Sequence, residues 1–172
     1  TAEIVLSPTD LTKSVFSYQL ISSTLSTTDA LYFNRELSKN TYFQNISKDK
    51  ISLDGKVYGD LSYLRFEKVN LKGMQNSSLS FSGTVKDLNN PLFDLNIANL
   101  TSSKVDILRI LPAEVLPENI NIPNNFMLKG TVKGKISDFN SDLTISSEQG
   151  IAHLNSHIIS SPGSLAYSGK LN

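Results

Sequence analysis

The sequence predicts an all-β protein built as an elongated, curled and mostly antiparallel sheet, an open half-pipe with one short inserted helix. The first observation is the stretch 126–136, in which every second position is apolar or Gly and the positions between carry Met, Lys or Thr. A period of two is typical of a strand with one dry and one wet face. The second is that this phrase recurs at 51–59, 79–87 and 165–171. Four copies at unequal spacing predict hairpins of varying length laid side by side.

The third observation is that the recurring glycines lie on the apolar parity of their strands. They are Gly55, Gly83, Gly130 and Gly169. Glycine weakens a strand interior, so its recurrence indicates sharp bends or close approach of another group. Stacked across strands, such glycines would curl the sheet and leave a trough on its concave side. The alternative is that they kink a closed sandwich or barrel packed by its own side chains.

The first 50 residues give a less regular pattern. We predict a strand at 3–6, closed by a Ser-Pro-Thr-Asp turn, and a strand at 15–25, with an amphipathic helix as the alternative. Residues 29–34 fit a short strand or a turn of helix. The polar stretch 35–50 is expected to be the most mobile connection.

Later elements are clearer. The parity of apolar residues slips by one near Glu67 or Lys68, which predicts a β-bulge, and 79–97 reads as a hairpin. A helix is predicted over 103–111, capped by one of Thr101, Ser102 and Ser103 and ended by Pro112. The proline-rich stretch 113–125 should be extended.

The amino-acid composition excludes several classes of function. Sixteen basic and sixteen acidic residues give zero net charge, which supplies no long-range attraction to nucleic acid. The absence of Cys excludes disulfides and thiolate metal sites. No targeting segment or apolar run of about 20 residues is present. We interpret 1–172 as a single β-rich segment of a larger protein.

Candidate chemistry is sparse. His153 and His157 share one parity of a predicted strand, but a metal site needs a third ligand and only Glu148 is near. Asp138 and Asp142 bracket a turn, which Asx capping explains better than acid–base catalysis. We therefore predict no catalytic residue, no metal and no cofactor, and hence a protein that is not an enzyme.

A family resemblance covers about 51 to 160. The carrying segments, in order, are 71–87, Asn89–Leu95, Ser102–Leu108, Leu116-Pro117 with Ile122-Pro123, and Leu128–Gly134, followed by Phe139 and Gly150. This order resembles TamB/AsmA-type envelope proteins, particularly those of Bacteroidota. Residues 1–50 carry no matching motif.

The resemblance implies a β-taco with a hydrophobic concave groove that shields and conducts phospholipids across the periplasm. It also implies an inner-membrane anchor outside this segment, and an outer-membrane barrel protein as a partner. The predicted groove residues, which share the apolar parity, are Leu53, Val57, Leu79, Phe81, Val85, Phe93, Leu95, Ile97, Phe126, Leu128, Val132, Ile136, Leu143, Ile145, Leu154 and Ile158.

The helical stripe of Val105, Leu108 and Leu111 either plugs the groove mouth or caps one end of the core. Two other functions compete with lipid transport. One is a scaffold or chaperone that pairs with strands of client outer-membrane proteins. The other is a closed β-sandwich acting as an adhesin or binding module.

Overall fold

Ten strands make up a single sheet. The computed structural model describes residues 2–5, 15–29, 31, 35–46, 48–60, 62–88, 90–110, 121–161 and 164–172. The strands are β1 (Ala2–Val5), β2 (Val15–Ser26), β3 (Lys50–Gly59), β4 (Tyr63–Gly73), β5 (Ser77–Lys86), β6 (Leu92–Ser103), β7 (Asn125–Lys135), β8 (Asp138–Ser147), β9 (Gly150–Ser161) and β10 (Ser164–Leu171). Each strand pairs antiparallel with its neighbours in sequence, so the sheet is a meander with β1 and β10 at its edges.

The helical elements lie in two connections. Helix α1 (Thr41–Ile46) follows a 3-10 turn at Arg35–Lys39, and α2 (Lys104–Ile110) follows β6. The helix predicted after β6 is therefore confirmed, with Ser103 as its cap. The expectation of a plain polar connection over 35–50 was wrong, because Asn40 caps α1 by accepting a hydrogen bond from the Phe43 amide at 3.0 Å. Residues 111–120 lie outside the described part; they include Leu111 of the predicted helix, Pro112, and positions 113–120 of the stretch predicted to be extended.

The all-β class, the antiparallel pairing and the open sheet are confirmed. The 15–25 strand is confirmed as well, and β1 and β2 belong to the same sheet as the repeats. The sheet is open but uncurled, so the half-pipe curvature that the glycines led us to expect is not part of the fold. The strand glycines instead bring the backbones of neighbouring strands close together.

Register shifts occur in five successive strand pairings. They fall at Leu20/Ser23, Asp54/Lys56, Phe66/Val69, Ser80/Phe81 and Ile97/Leu100. The shifts arise from three bulges, one each in β2, β4 and β6. The predicted bulge is the one in β4, which gives the second and third shifts, and Lys68 within it has a φ of 47°. Each bulge reverses which parity faces the apolar side, so a strand such as β4 keeps apolar residues on one face throughout.

The strand glycines bring neighbouring backbones together. Gly130 has a φ of +141°, and a Cβ added there would lie 2.0 Å from the carbonyl oxygen of Asp142 on β8. Gly83 shows the same arrangement toward the carbonyl oxygen of Asp94, at 2.2 Å. Both conformations are essentially restricted to glycine. The repeated glycines therefore produce close approach rather than a rolled sheet.

Three glycine substitutions separate strain from close approach. Gly130→Ala meets both an unfavourable φ and the Asp142 carbonyl, so we expect a loss of about 3–5 kcal/mol in the free energy of unfolding. Gly150→Ala has the same kind of φ, +138°, but nothing within 4 Å of the added Cβ, and should lose about 1–2 kcal/mol.

The third variant is the control. Gly73 lies outside the left-handed region. Its added Cβ would be nearest the Ile51 side chain, at 3.2 Å, and in ordinary contact with the Lys50 carbonyl oxygen, at 3.6 Å, so Gly73→Ala should change stability by less than about 1 kcal/mol. Urea unfolding of the three variants measures the differences. Equal losses at Gly130 and Gly150 would show that the close approach to β8 contributes nothing.

Candidate functional site

One face of the sheet is apolar across its whole width. Residues directly opposite one another in an antiparallel pair lie on the same face, so the register defines rows that run across the strands. The leucine row consists of Leu53, Leu71, Leu79, Leu100, Leu128, Ile145 and Ala152. The Gly130 row consists of Val69, Phe81, Ile97, Gly130, Leu143, Leu154 and Leu171.

Two further rows complete this surface, which we call the apolar face. The Gly83 row consists of Val57, Phe66, Gly83, Leu95, Val132, Ser141, Ser156 and Gly169. The Gly134 row consists of Leu64, Val85, Phe93, Gly134, Phe139, Ile158 and Tyr167. On β5 to β9 no charged residue occupies a position of the apolar face.

The structure places every predicted groove residue in these rows except Phe126 and Ile136. Phe126 lies on the same side of the sheet, opposite Ser102 and Ser147 and beyond the leucine row. Ile136 lies in the turn after β7 and is 71% exposed, because the strand ends at Lys135 and the chain reverses there. The sequence analysis did not assign to this face several apolar residues of the bulged strands β4 and β6. The missed residues include Leu64, Phe66, Val69, Leu71 and Leu100. The parity slip near Lys68 is the signal that could have found the four residues on β4.

Large side chains on the apolar face pack over the glycines between them. Phe93 on β6 and Phe139 on β8 flank Gly134 on β7, and their ring centroids lie 6.1 Å apart. Phe66 on β4 lies opposite Gly83, and Phe81 lies two residues before Gly83 on β5. The centroids of these two rings are 5.6 Å apart. Tilted aromatic pairs at these distances are attractive. The missing glycine side chain thus lets residues two strands apart touch.

Nothing described in the structure forms a second layer over most of this face. Among the described hydrophobic residues only Val69 is fully buried, at 3% exposure, and the others on the face are half-buried or exposed. At the β10 edge Tyr167 and Leu171 are 81% and 69% exposed. A contiguous apolar surface of this extent is typical of a binding surface.

Helix α2 is held at one margin of the apolar face by a buried carboxylate. Asp106 is fully buried, and its oxygens accept hydrogen bonds from the amides of Gln75 and Asn76, at 3.3 and 2.8 Å, and from the Ser77 hydroxyl, at 2.8 Å. The Asp106 amide in turn donates to the Ser103 hydroxyl at 3.3 Å. The helix is therefore tied to the turn between β4 and β5.

The hydrogen bonds fix the charge of Asp106. Desolvation on its own would raise the pKa of this carboxyl group. The hydrogen bonds from Ser77, Asn76 and Gln75, together with the positive charge of Arg109, outweigh it and lower the pKa below its ordinary value. Asp106 is thus a charged anchor at neutral pH.

A second contact joins α2 to α1. The Arg109 guanidinium lies 3.0 Å from both carboxylate oxygens of Asp49, and the Asn45 side-chain amide donates to the Ile110 carbonyl oxygen at 3.1 Å. These contacts orient the helix so that its packing side carries Asp106, Ile107 and Ile110. A guanidinium paired with a half-buried carboxylate favours one orientation of the two partners.

The predicted helical stripe was therefore assigned to the wrong side. Val105 and Leu108 are 54% and 49% exposed and face away from the sheet, because Asp106 takes the inward position. Leu111, the third member, lies outside the described residues. The helix does cover one margin of the apolar face, but with other residues than the sequence suggested.

The two helices and the sheet border a half-open apolar cavity of about 270 Å³. Its lining includes Ile46 of α1, Ile107 and Ile110 of α2, and Leu71, Leu79 and Leu100 of the leucine row. An apolar cavity of about 150 Å³ is already large enough to bind benzene or xenon. This cavity continues the apolar face beneath the helices.

A larger hollow, of about 740 Å³, is lined by residues of β2 to β6 and includes Glu67 and Lys68 at the bulge of β4. Its charged residues belong mainly to the polar side, and they include Lys56, Arg65, Glu67 and Asp94. Several of these charges interact with described neighbours. Arg65 lies 3.6 Å from Glu67, and Lys133 lies 3.1 Å from Asp94. These pairs and the surrounding hydroxyls make the hollow a solvated polar surface.

Polar residues interrupt the apolar face at one place. The hydroxyls of Ser141 and Ser156 are buried and hydrogen-bond each other at 2.6 Å between Val132 and Gly169. Each serine satisfies the other, so neither is left with an unpaired polar atom. The pair consequently adds a narrow, small-residue stretch without adding charge.

The histidines lie away from the apolar face. His157 Nε2 is 2.7 Å from Asp138 Oδ1, and His153 Nδ1 is 3.1 Å from the Thr144 hydroxyl. Within the described ranges no group of three or more His, Cys, Asp or Glu residues could hold a metal ion. None of the described helices is long and apolar enough to cross a membrane.

No protein-family model, no curated protein and no solved structure matches the chain.

Acid should loosen the α2 anchor. A carboxyl group whose pKa is lowered by folding stabilises the fold above its unfolded pKa of about 4, and that contribution is lost as the pH falls through the lowered pKa. We therefore expect Asp106→Asn to lose about 1.5–3 kcal/mol at pH 7. Urea unfolding from pH 7 to pH 2 should show a flatter acid limb for the variant.

Asp94→Asn is the matched control. Asp94 is 58% exposed in its pair with Lys133, so its loss should change stability by no more than about 1 kcal/mol. The same acid limb in wild type and Asp106→Asn would contradict the anchor.

Proposed function

We propose that this chain shields and conducts lipid acyl chains along the apolar face of its sheet. One observation carries the proposal: an apolar surface spans the strands, and the described residues cover it only at the margin occupied by α1 and α2. With about 4.8 Å between strands, ten strands extend for about 43 Å. That length supports several adjacent sites for an alkyl chain rather than one pocket.

The free energy of burying an acyl chain on this face favours weak binding. Burying a methylene is worth about 0.8 kcal/mol, so an acyl chain of about 15 carbons gains roughly 12 kcal/mol if fully enclosed. An open sheet covers about one side of the chain, which reduces the gain to roughly 6 kcal/mol. Association costs several kcal/mol in lost freedom. The surplus is small, so acyl chains should exchange quickly, as conduction requires.

The chemistry of the face also favours tolerance for headgroups. No position of the apolar face on β5 to β9 carries a charge, and the buried Asp106 is fully engaged by the β4–β5 turn. A headgroup would therefore remain in water at the margin of the sheet. We expect lipids of different headgroup to bind with similar affinity.

The place of action follows from the resemblance. A TamB/AsmA-like protein would be anchored in the inner membrane outside this segment, would cross the periplasm and would work with an outer-membrane barrel protein. Such a setting supplies phospholipid at both ends of the path. We include the periplasmic location in the proposal.

A second candidate function is a scaffold that adds client strands to the sheet. It is compatible with the antiparallel pairing that every described strand of the sheet already uses. The third possibility, a closed sandwich, is wrong for the described residues, because all ten strands belong to one open sheet.

Lipid carriage can be tested with one pair of substitutions on β7. Val132→Lys puts a charge in the middle of the apolar face, and we expect it to weaken binding of a fluorescent fatty acid at least tenfold. Native mass spectrometry with lipid extraction should find phospholipid of mixed headgroup on the wild-type chain and little on the variant.

The control is Thr131→Lys, one residue away on the opposite face and directly across from Asp142. It should leave lipid binding unchanged. Far-UV circular dichroism checks that both variants keep the sheet. A wild-type chain that carries no lipid and ignores added lipid would overturn the proposal and favour the scaffold.

A further inference from the structure

We propose that the cavity beneath α1 and α2 takes the methyl end of a single alkyl chain, whose remainder leaves along the leucine row across β7 and β8. The inference rests on the proposed function, since it takes the ligand to be an acyl chain, and it adds an orientation and a length to that ligand. The cavity lies over strands β3 to β6, each of which is paired on both sides within the sheet.

The side chains around the cavity leave no polar group in search of a ligand. The Thr27 hydroxyl lies 3.1 Å from the Asp49 carbonyl oxygen, and the Asp49 carboxylate lies 3.0 Å from the Arg109 guanidinium. The polar lining residues, each of which has a hydrogen-bond or ion-pair partner, are Thr27, Asp49, Ser77, Ser78, Thr101 and Ser102. A polar ligand would compete with these bonds, whereas a hydrocarbon leaves all of them in place.

Aliphatic side chains line the rest of the cavity. Ile46 of α1, Ile107 and Ile110 of α2, and Leu79 and Leu100 of the sheet surround it, and no aromatic ring is among the described lining residues. A cavity of about 150 Å³ with such a lining stays dry and holds the six carbons of benzene. At about 270 Å³, this cavity has room for about ten carbons of a flexible chain.

The open side of the cavity sets the direction of the chain. Thr27 and Asp49, from the connection between β2 and β3, are among the lining residues, but none of the described lining residues belongs to β7. On the β7 side the leucine row continues from Leu100 to Leu128 and Ile145. A chain with its methyl end beneath the helices therefore leaves across β7 and β8, and its carboxyl end lies farthest from α1.

The dependence of affinity on chain length should reveal the cavity. Each methylene enclosed in it should raise the affinity up to about fourfold, whereas each methylene on the open face should raise it only about twofold. For fatty acids from hexanoate to stearate, measured by displacement of a fluorescent fatty acid, we expect affinity to rise steeply to about decanoate and less steeply beyond it.

Two substitutions at one position of α2 change the length of the cavity in opposite directions. Ile107→Phe fills part of it, so the break in the series should move to shorter acids by about two carbons and decanoate should bind about fourfold more weakly. Ile107→Ala enlarges it, so the break should move to longer acids, and dodecanoate should bind about fourfold more tightly. The enlarging variant keeps the test valid if the larger ring displaces the helix.

Val105 provides the matched controls. It lies on the same helix but is 54% exposed and faces away from the sheet. Val105→Phe and Val105→Ala should therefore leave the series unchanged. Val132→Lys, on the Gly83 row rather than the leucine row, should leave the affinity for decanoate unchanged as well.

Isotope-edited NMR locates the two ends of one bound chain. Palmitate labelled with ¹³C at its methyl carbon should give nuclear Overhauser contacts to the methyl groups of Ile107 and Ile110. Palmitate labelled beside its carboxyl group should instead give contacts to Leu128 and Ile145. No substitution is needed, so this measurement does not depend on the stability of a variant.

The outcomes separate this inference from the proposed function. Palmitate whose two labels contact the same rows, or a fatty-acid series without a break, would overturn the inference and leave the apolar face as a lipid surface. A break that moves as far with Val105→Phe as with Ile107→Phe would do the same. A wild-type chain that binds no fatty acid of the series would overturn both.

Discussion

The described residues place no second layer over most of this sheet, so the sheet must obtain its stability largely within its own plane, and the rest of the structure depends on that constraint. Residues on the apolar face cannot bury themselves against a second sheet, so they pack sideways along the rows. Sideways packing needs room, and the strand glycines provide it by alternating with large residues across neighbouring strands, as at Gly134 between Phe93 and Phe139. These side chains are not buried against a second sheet or a layer of helices. The backbone hydrogen bonds between strands and the lateral side-chain contacts offset that missing burial.

At the margin covered by α1 and α2, hydrogen bonds rather than apolar contacts hold the structure together. Near α1 and α2 the face changes from aliphatic residues to Ser77 and Ser102, whose hydroxyls lie 2.8 Å apart, and the buried Asp106 accepts from Ser77 and the adjacent turn. A buried charge is tolerable only when such donors surround it. The donors come from the β4–β5 turn and the start of β5, so the position of the helix depends on that hairpin. The cavity beneath the helix therefore requires both the sheet and the helices that line it.

Much of this arrangement could be predicted from the sequence because a period of two is a local property. The alternation in 126–136 fixes one face of β7 with no knowledge of its partners, and the same holds for β5 and β9. Curvature could not be predicted, because the effect of Gly130 depends on the carbonyl group that the neighbouring strand brings to it. The helix face failed for a similar reason: hydrophobicity favours Val105 and Leu108, but the inward position is decided by hydrogen-bond donors located about 30 residues away in sequence.

The lack of enclosure also decides what kind of ligand handling the fold can support. An enclosed pocket gains the full transfer free energy of its ligand and releases it slowly, whereas a one-sided surface gains about half and releases it quickly. Rows that continue from β3 to β9 give neighbouring positions of similar chemistry, so under the proposed function a weakly held alkyl chain would find another site beside the one it leaves. The narrow Ser141–Ser156 stretch changes the width of that path but not its charge. Openness and lateral repetition, rather than a single high-affinity site, are therefore the properties by which this sheet would conduct lipid.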